Sequence, residues 1–243
     1  MIESAVRDAY RQEMPLRISR IIPPGNCPGH FDLKPQMLLD IRKADLFVYH
    51  SFQSGIEARV KGMDAGVKML ELPAKGSYLI PSNYWESVQI LRKELDEVLQ
   101  AEEQGKPASS ATAGQRMLAE CEQQNRFWRA AVADNGWEGV AVIASGMQAE
   151  FCRWLGFDVV AVLPRSEDLT PARMRELVES EAALVVGNRQ SAAQAAAMLA
   201  GRKGIPVAVL DNFPSSLEAK EGSMYMRLAR RNRQILEKAW ESR

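Results

Sequence analysis

Soft metal donors are scarce in this chain. Its 243 residues hold two histidines, His30 and His50, and three cysteines, Cys27, Cys121 and Cys152. An odd number of cysteines at separate places argues against a disulfide framework. Neither sign of charge dominates, because 31 Lys and Arg offset 31 Asp and Glu. With no net field to draw in a polyanion, a nucleic-acid partner is not expected. No apolar run approaches the ~20 residues that span a bilayer, and the opening segment Ile-Glu-Ser-Ala-Val-Arg-Asp lacks the apolar core of a signal peptide. The chain therefore reads as soluble. The phosphate loop Gly-x-x-x-x-Gly-Lys, the dinucleotide fingerprint Gly-x-Gly-x-x-Gly and a nucleophile elbow are all missing, which removes the usual nucleotide and hydrolase readings.

What the chain does have is a rigid turn at residues 23–35, Pro-Pro-Gly-Asn-Cys-Pro-Gly-His-Phe-Asp-Leu-Lys-Pro, with Cys27 and His30 three residues apart. Its prolines remove backbone freedom, while Gly25 and Gly29 permit turns that other residues resist. Thiolate and imidazole suit zinc or another transition ion. The alternative is a structural turn with a buried Cys and a His capping the next helix. A thiol nucleophile paired with His30 is a third reading, and it is disfavoured. Cys-x-x-His in a proline turn does not aim the imidazole at the thiol, so the chain is not expected to be an enzyme.

Along the chain, Leu16 to Ile22 reads as a strand and Lys34 to Lys43 as a helix. The apolar strand Leu46 to Tyr49, a helix near Ser54 to Lys61 and a strand at Lys68 to Leu72 follow. Asn83 with Glu86 has the form of a capping box, and Trp85, Val88, Leu91, Leu95, Val98 and Leu99 recur at helical spacing. Residues 101–114 form a polar connection. Gln115 to Asp134, without a breaker, predicts one long helix with Met117, Cys121, Gln124, Trp128 and Ala131 or Val132 roughly on one face. Strands and helices then alternate from Gly139 to Leu210, the pattern of a doubly wound parallel sheet, and a last helix runs from about Ser223 to Trp240 with an Arg-rich outer face.

The expected fold is α/β: two lobes with mainly parallel sheets joined by one long helix, with a cleft between lobes. The expected domains are an N-terminal lobe at 1–114, the connecting helix at 115–135 and a C-terminal lobe at 136–243. In open parallel sheets ligands lie beyond the carboxyl ends of the strands. Those ends offer Cys27, His30 and His50 in the first lobe. In the second they offer Ser145-Gly146-Met147, Pro164-Arg165, Gly187-Asn188-Arg189 and Asp211-Asn212. His50 is a candidate ligand or a rim residue. Gly146 and Gly187 would let an anion approach backbone N–H groups, with Arg165 or Arg189 as counter-charge.

The order Pro-Gly-His-Phe-Asp-Leu-Lys-Pro at 28–35, Lys-Ala-Asp-Leu-Phe-Val at 43–48, the helix from Asn83 and Gln124-Asn125-Arg126-Phe127 resembles the zinc and manganese solute-binding proteins of ABC importers. Ser145 to Gly156 and Gly204 to Asp211 followed by Tyr225 and Asn232 extend the likeness over nearly the whole chain. The resemblance implies a periplasmic or extracytoplasmic monomer whose signal or anchor has been removed, the alternative being a cytoplasmic protein. It further implies a zinc or manganese ion as transported ligand and a membrane permease as partner. It makes His30 the first metal ligand and Asp211 the carboxylate ligand. The second and third ligand positions fall at Ile80-Pro81-Ser82-Asn83 and at Gly146, which carry no strong donor. Three readings stay open. Cys27, His30, Asp211 and His50 or Glu150 rebuild a metal site; or the pocket, with Asn83, Gly146, Met147, Asn188 and Arg189, takes an anionic or polar molecule or a metal chelate; or the fold serves as an interaction module.

Overall fold

The computed structural model describes residues 2–10, 17–22, 31, 33–51, 53–63, 66–73, 76–102, 110–212 and 223–243. The chain divides into two compact units, Met1–Lys75 with Ser82–Glu120, and Gly76–Pro81 with Cys121–Arg243. The boundary thus falls inside the long helix, where the sequence had set that helix apart as its own connecting segment. No helix among the described residues is long and apolar enough to cross a membrane.

The first unit contains helices α1 (Ile2–Tyr10), α2 (Pro35–Ile41), α3 (Ser54–Lys61) and most of α4 (Pro81–Glu102), with strands β1 (Leu46–His50) and β2 (Lys68–Leu72). β1 and β2 pair in parallel with His50 opposite Leu72. Ile41, Phe47, Ile56 and Val60 close a small core on the sheet. Helix α4 buries Trp85, Val88 and Leu91, the stripe its helical spacing predicts. It starts at Pro81, so Asn83 lies within the first turn and is not its cap. Residues 17–22 form no strand; Arg20 there bonds Glu3 of α1 through its guanidinium.

The long helix α5 (Ser110–Asn135) buries Met117, Gln124, Trp128 and Ala131 on one face, as expected, with Cys121 half-buried. The second unit then alternates β3 (Ala141–Ser145), α6 (Gly146–Trp154), β4 (Asp158–Leu163), α7 (Pro171–Glu179), β5 (Leu184–Asn188), α8 (Ala193–Lys203), β6 (Val207–Leu210) and α9 (Met224–Glu241). The four strands make one parallel sheet in the order β4-β3-β5-β6. Every residue of β5 is buried, as a central strand covered on both faces requires. The edge strand β4 departs from that expectation, since Val160 and Val162 stand exposed on an uncovered face.

Local chemistry sets the helix ends. Thr170 caps α7, accepting from the Arg173 N–H, with Pro171 at its first position. Ser223 caps α9 in the same way through Met226. Gly204, at φ 67°, ends α8 in the left-handed conformation. The Lys203 ammonium donates to the carbonyls of Val178 and Ser180 at 2.7 and 2.6 Å, tying the end of α7 to the end of α8. Two described contacts help to hold the segment 76–81. The Ser77 N–H donates to the Glu150 carboxylate at 2.6 Å, and the buried Tyr225 hydroxyl donates to the Leu79 carbonyl.

Candidate functional site

The parallel registers bring the carboxyl ends of β3, β5 and β6 together at one edge of the second unit. Ala144 is level with Val186, and Asn188 with Leu210, so Ser145, Asn188 and Asp211 follow one another across strands about 4.8 Å apart. Because β5 lies between β3 and β6, its end stands at the centre of this edge.

Asp211 is 1% exposed. Its backbone is gripped by Asn232 of α9, whose Oδ1 accepts the Asp211 N–H at 3.0 Å and whose Nδ2 donates to the Asp211 carbonyl at 2.9 Å. Its carboxylate faces two guanidiniums, Arg189 Nε at 2.5 Å and Arg231 Nε at 3.2 Å. These are charge contacts without directed hydrogen bonds, for neither carboxylate oxygen accepts one. Both guanidiniums remain partly exposed.

Asn188 makes an Asx turn, its Oδ1 accepting from the Gln190 N–H at 2.9 Å and the Ser191 hydroxyl at 3.0 Å. Its Nδ2 is buried without a hydrogen-bond partner, as are Ser145 Oγ and Gln148 Oε1. Gln148 Nε2 donates to Asn212 Oδ1 at 2.7 Å, and the Asn212 N–H donates to Gln190 Oε1 at 3.2 Å, so amide side chains link α6 to the loops after β5 and β6. Helix α6 opens at Gly146 directly after Ser145, with no acidic residue in its first turn. Gly146 and Met147 are exposed there.

The other expected residues are placed differently. Cys27 and His30 lie outside the described residues. His50 ends β1 at 4% exposure, so it is no open rim residue. Burial drives its pKa down to about 3 and keeps the ring neutral. Its backbone N–H donates to Gln53 Oε1 at 2.8 Å. Asn83 is half-buried in α4. Glu150 is engaged in holding Ser77. Gly187 does not offer an open backbone to an anion: a Cβ there would meet the Cβ of Ala196 at 2.6 Å, so this glycine serves the packing of β5 on α8. Among the described residues no three His, Cys, Asp or Glu side chains gather as a metal set. Gln148 was not among the expected residues, and Arg231 belongs to the Arg cluster of the last helix, expected as a solvated face or as the contact of an acidic partner. The signal for Arg231 was its place three residues after Leu228 and beside Asn232, on the border of the apolar stripe of α9.

Residues 14–239 match the family described as ZnuA, zinc-uptake complex component A, periplasmic. No curated protein sequence matches the chain significantly. Among solved structures, one described as ZnuA is similar with a TM-score of 0.73 at 17% identity, covering 97% of this chain and 94% of its own. The laminin-binding protein Lmb of Streptococcus agalactiae, described as having adhesin and metal-transporting activity, has a TM-score of 0.73 at 16% identity, covering 98% and 95%. The solute-binding protein FpvC of Pseudomonas aeruginosa, in complex with Mn2+, has a TM-score of 0.72 at 15% identity, covering 98% and 94%. At these identities the structures speak for a shared fold, while the match over nearly the whole length carries the family. The chain belongs to the periplasmic zinc-uptake complex component A family, the metal-capturing solute-binding components of ABC-type importers.

Proposed function

We propose that this protein captures a transition-metal ion of the zinc or manganese class outside the cytoplasm and hands it, as a monomer, to a membrane permease. No bond is made or broken in the cargo; the work is capture and delivery. The observation that carries the reading is the family match over residues 14–239. The Mn2+ complex of FpvC and the Zn(II)-bound AdcAII variant of Streptococcus pneumoniae, also similar to this chain, support the choice of ions.

The proposed donors are Cys27 and His30 of the proline turn, with the neutral imidazole of His50 and the carboxylate of Asp211. Gly146, Met147, Asn188 and Arg189 line the edge of the second unit, and Asn83 adds an amide in the first. Thiolate and imidazole must be deprotonated to bind metal, so affinity weakens as pH falls. Elemental analysis of protein purified without added metal, followed by zinc titration, tests the reading. His30→Ala is expected to remove bound zinc and Cys27→Ser to weaken it at every pH. Zinc affinity untouched by both substitutions would remove these donors from the site.

A further inference from the structure

The sheet of the second unit ends in a strand well suited to pairing and left unpaired on one side. β4 reads Asp-Val-Val-Ala-Val-Leu, apolar and rich in β-branched residues, with a charge only at its start. It is the outermost strand in the order β4-β3-β5-β6, so no described strand lies on its outer side. Val160 and Val162 are 42% and 37% exposed. Such an edge is a template for a second copy of itself. Antiparallel pairing of β4 with β4 would set the same apolar residues against one another about a two-fold axis.

Two features oppose that pairing. Val159 pairs with Val142 of β3 and Ala161 with Ile143, so Val160 has no partner residue and interrupts the regular pleat. Arg173 of α7 lies on the edge itself, its Nη2 donating to the Val162 carbonyl at 3.2 Å. Because an exposed side chain reaches it, this carbonyl faces away from β3, where the N–H of an added strand would need it. Arg173 is fixed from both ends. Its backbone N–H donates to Thr170 Oγ1 at 3.2 Å, and its Nη1 meets the Glu176 carboxylate at 2.8 Å.

We infer that Arg173 guards the free edge of β4 against pairing with β4 of a second copy, and that this edge becomes the contact between two copies once the guanidinium is removed. The inference bears on the monomeric state in the reading above and is independent of metal capture.

Sedimentation velocity of the full chain at about 10 and about 100 µM tests it, since a contact of one strand pair is small and weak. The wild type is expected to sediment as a monomer. Arg173→Ala is expected to give a monomer–dimer mixture whose dimer share rises with concentration and which stops at the dimer, because two-fold pairing uses up the edge. Adding Val160→Lys places a charge on the exposed edge and should restore the monomer. Association through a loosened fold would instead run past the dimer and ignore Val160→Lys. Hydrogen exchange gives a second readout, with amides of residues 158–163 gaining protection in the Arg173→Ala dimer. If Arg173→Ala lacks the folded circular dichroism spectrum, Arg173→Gln, with a side chain too short to cover the carbonyl in the same way, is judged by the same criteria. Association that is absent at both concentrations, runs on without limit, survives Val160→Lys or leaves residues 158–163 unprotected overturns the inference and leaves metal capture standing. A wild type that is itself dimeric overturns both the guard and the monomeric state, again without touching metal capture.

Discussion

At the scale of the residue, burial decides which groups carry charge. His50 is held neutral, with a pKa near 3, because desolvation disfavours the imidazolium. Its folded value lies below the ordinary 6.5. The resulting stability is therefore fully present above about pH 6.5 and is lost as pH falls toward 3, where the unfolded chain takes up a proton that the folded chain refuses. Urea unfolding at pH 7.5 and pH 5.5 is expected to show about 1 kcal/mol of such loss in the wild type. His50→Gln should lack that share; an identical pH dependence would mean that the ring is open to protons in the fold. Cys152 follows the same rule, since full burial pushes its thiol to about 12 and keeps it protonated in the core. Gln124, Trp128 and the other buried members of the α5 face were legible from spacing. The state of His50 was not, because a strand-end histidine has the same letters whether it meets water or core.

At the scale of the element, two glycines that look alike in sequence serve opposite ends. Both stand at or near a strand's carboxyl end, yet Gly187 lies under α8 and Gly146 faces open space. Gly187→Ala is expected to cost about 1–3 kcal/mol through overpacking against Ala196. Gly146→Ala should stay within about 0.5 kcal/mol. Thermal or chemical unfolding of the two variants checks this, and equal losses would contradict the packing of β5 on α8. Most elements were visible in the sequence because each strand is a short apolar run bounded by a turn former, and each helix carries its stripe. The exceptions have physical reasons. Residues 17–22 have strand-like letters but no described partner strand. Val160 and Val162 read as covered, but β4 is an edge with one open face.

At the scale of the whole molecule, ligand binding must appear as stability, because a ligand that binds only the folded state draws the equilibrium toward it. Zinc at about a hundredfold its dissociation constant is expected to add about 2.7 kcal/mol to the stability of the fold. For a chain of this length that corresponds to roughly 5–10 °C in Tm. Scanning calorimetry with and without zinc chloride, and again after excess EDTA, measures it. No shift with zinc chloride would contradict metal capture.

The sequence by itself determined the α/β class, the long helix and the strand-end positions where polar residues collect, because hydrophobic period and turn chemistry are local properties of the chain. It also carried the family, through the order of short matches from the proline turn to Asn232. Only the tertiary structure decided what those polar residues do. The pairing of Asp211 with Arg189 and Arg231, the amide links from Gln148 through Asn212 to Gln190, and the burial of His50 join residues far apart in the chain. The charge at a carboxylate is set by whatever the fold brings within a few ångströms of it, and strand order and helix packing make that choice.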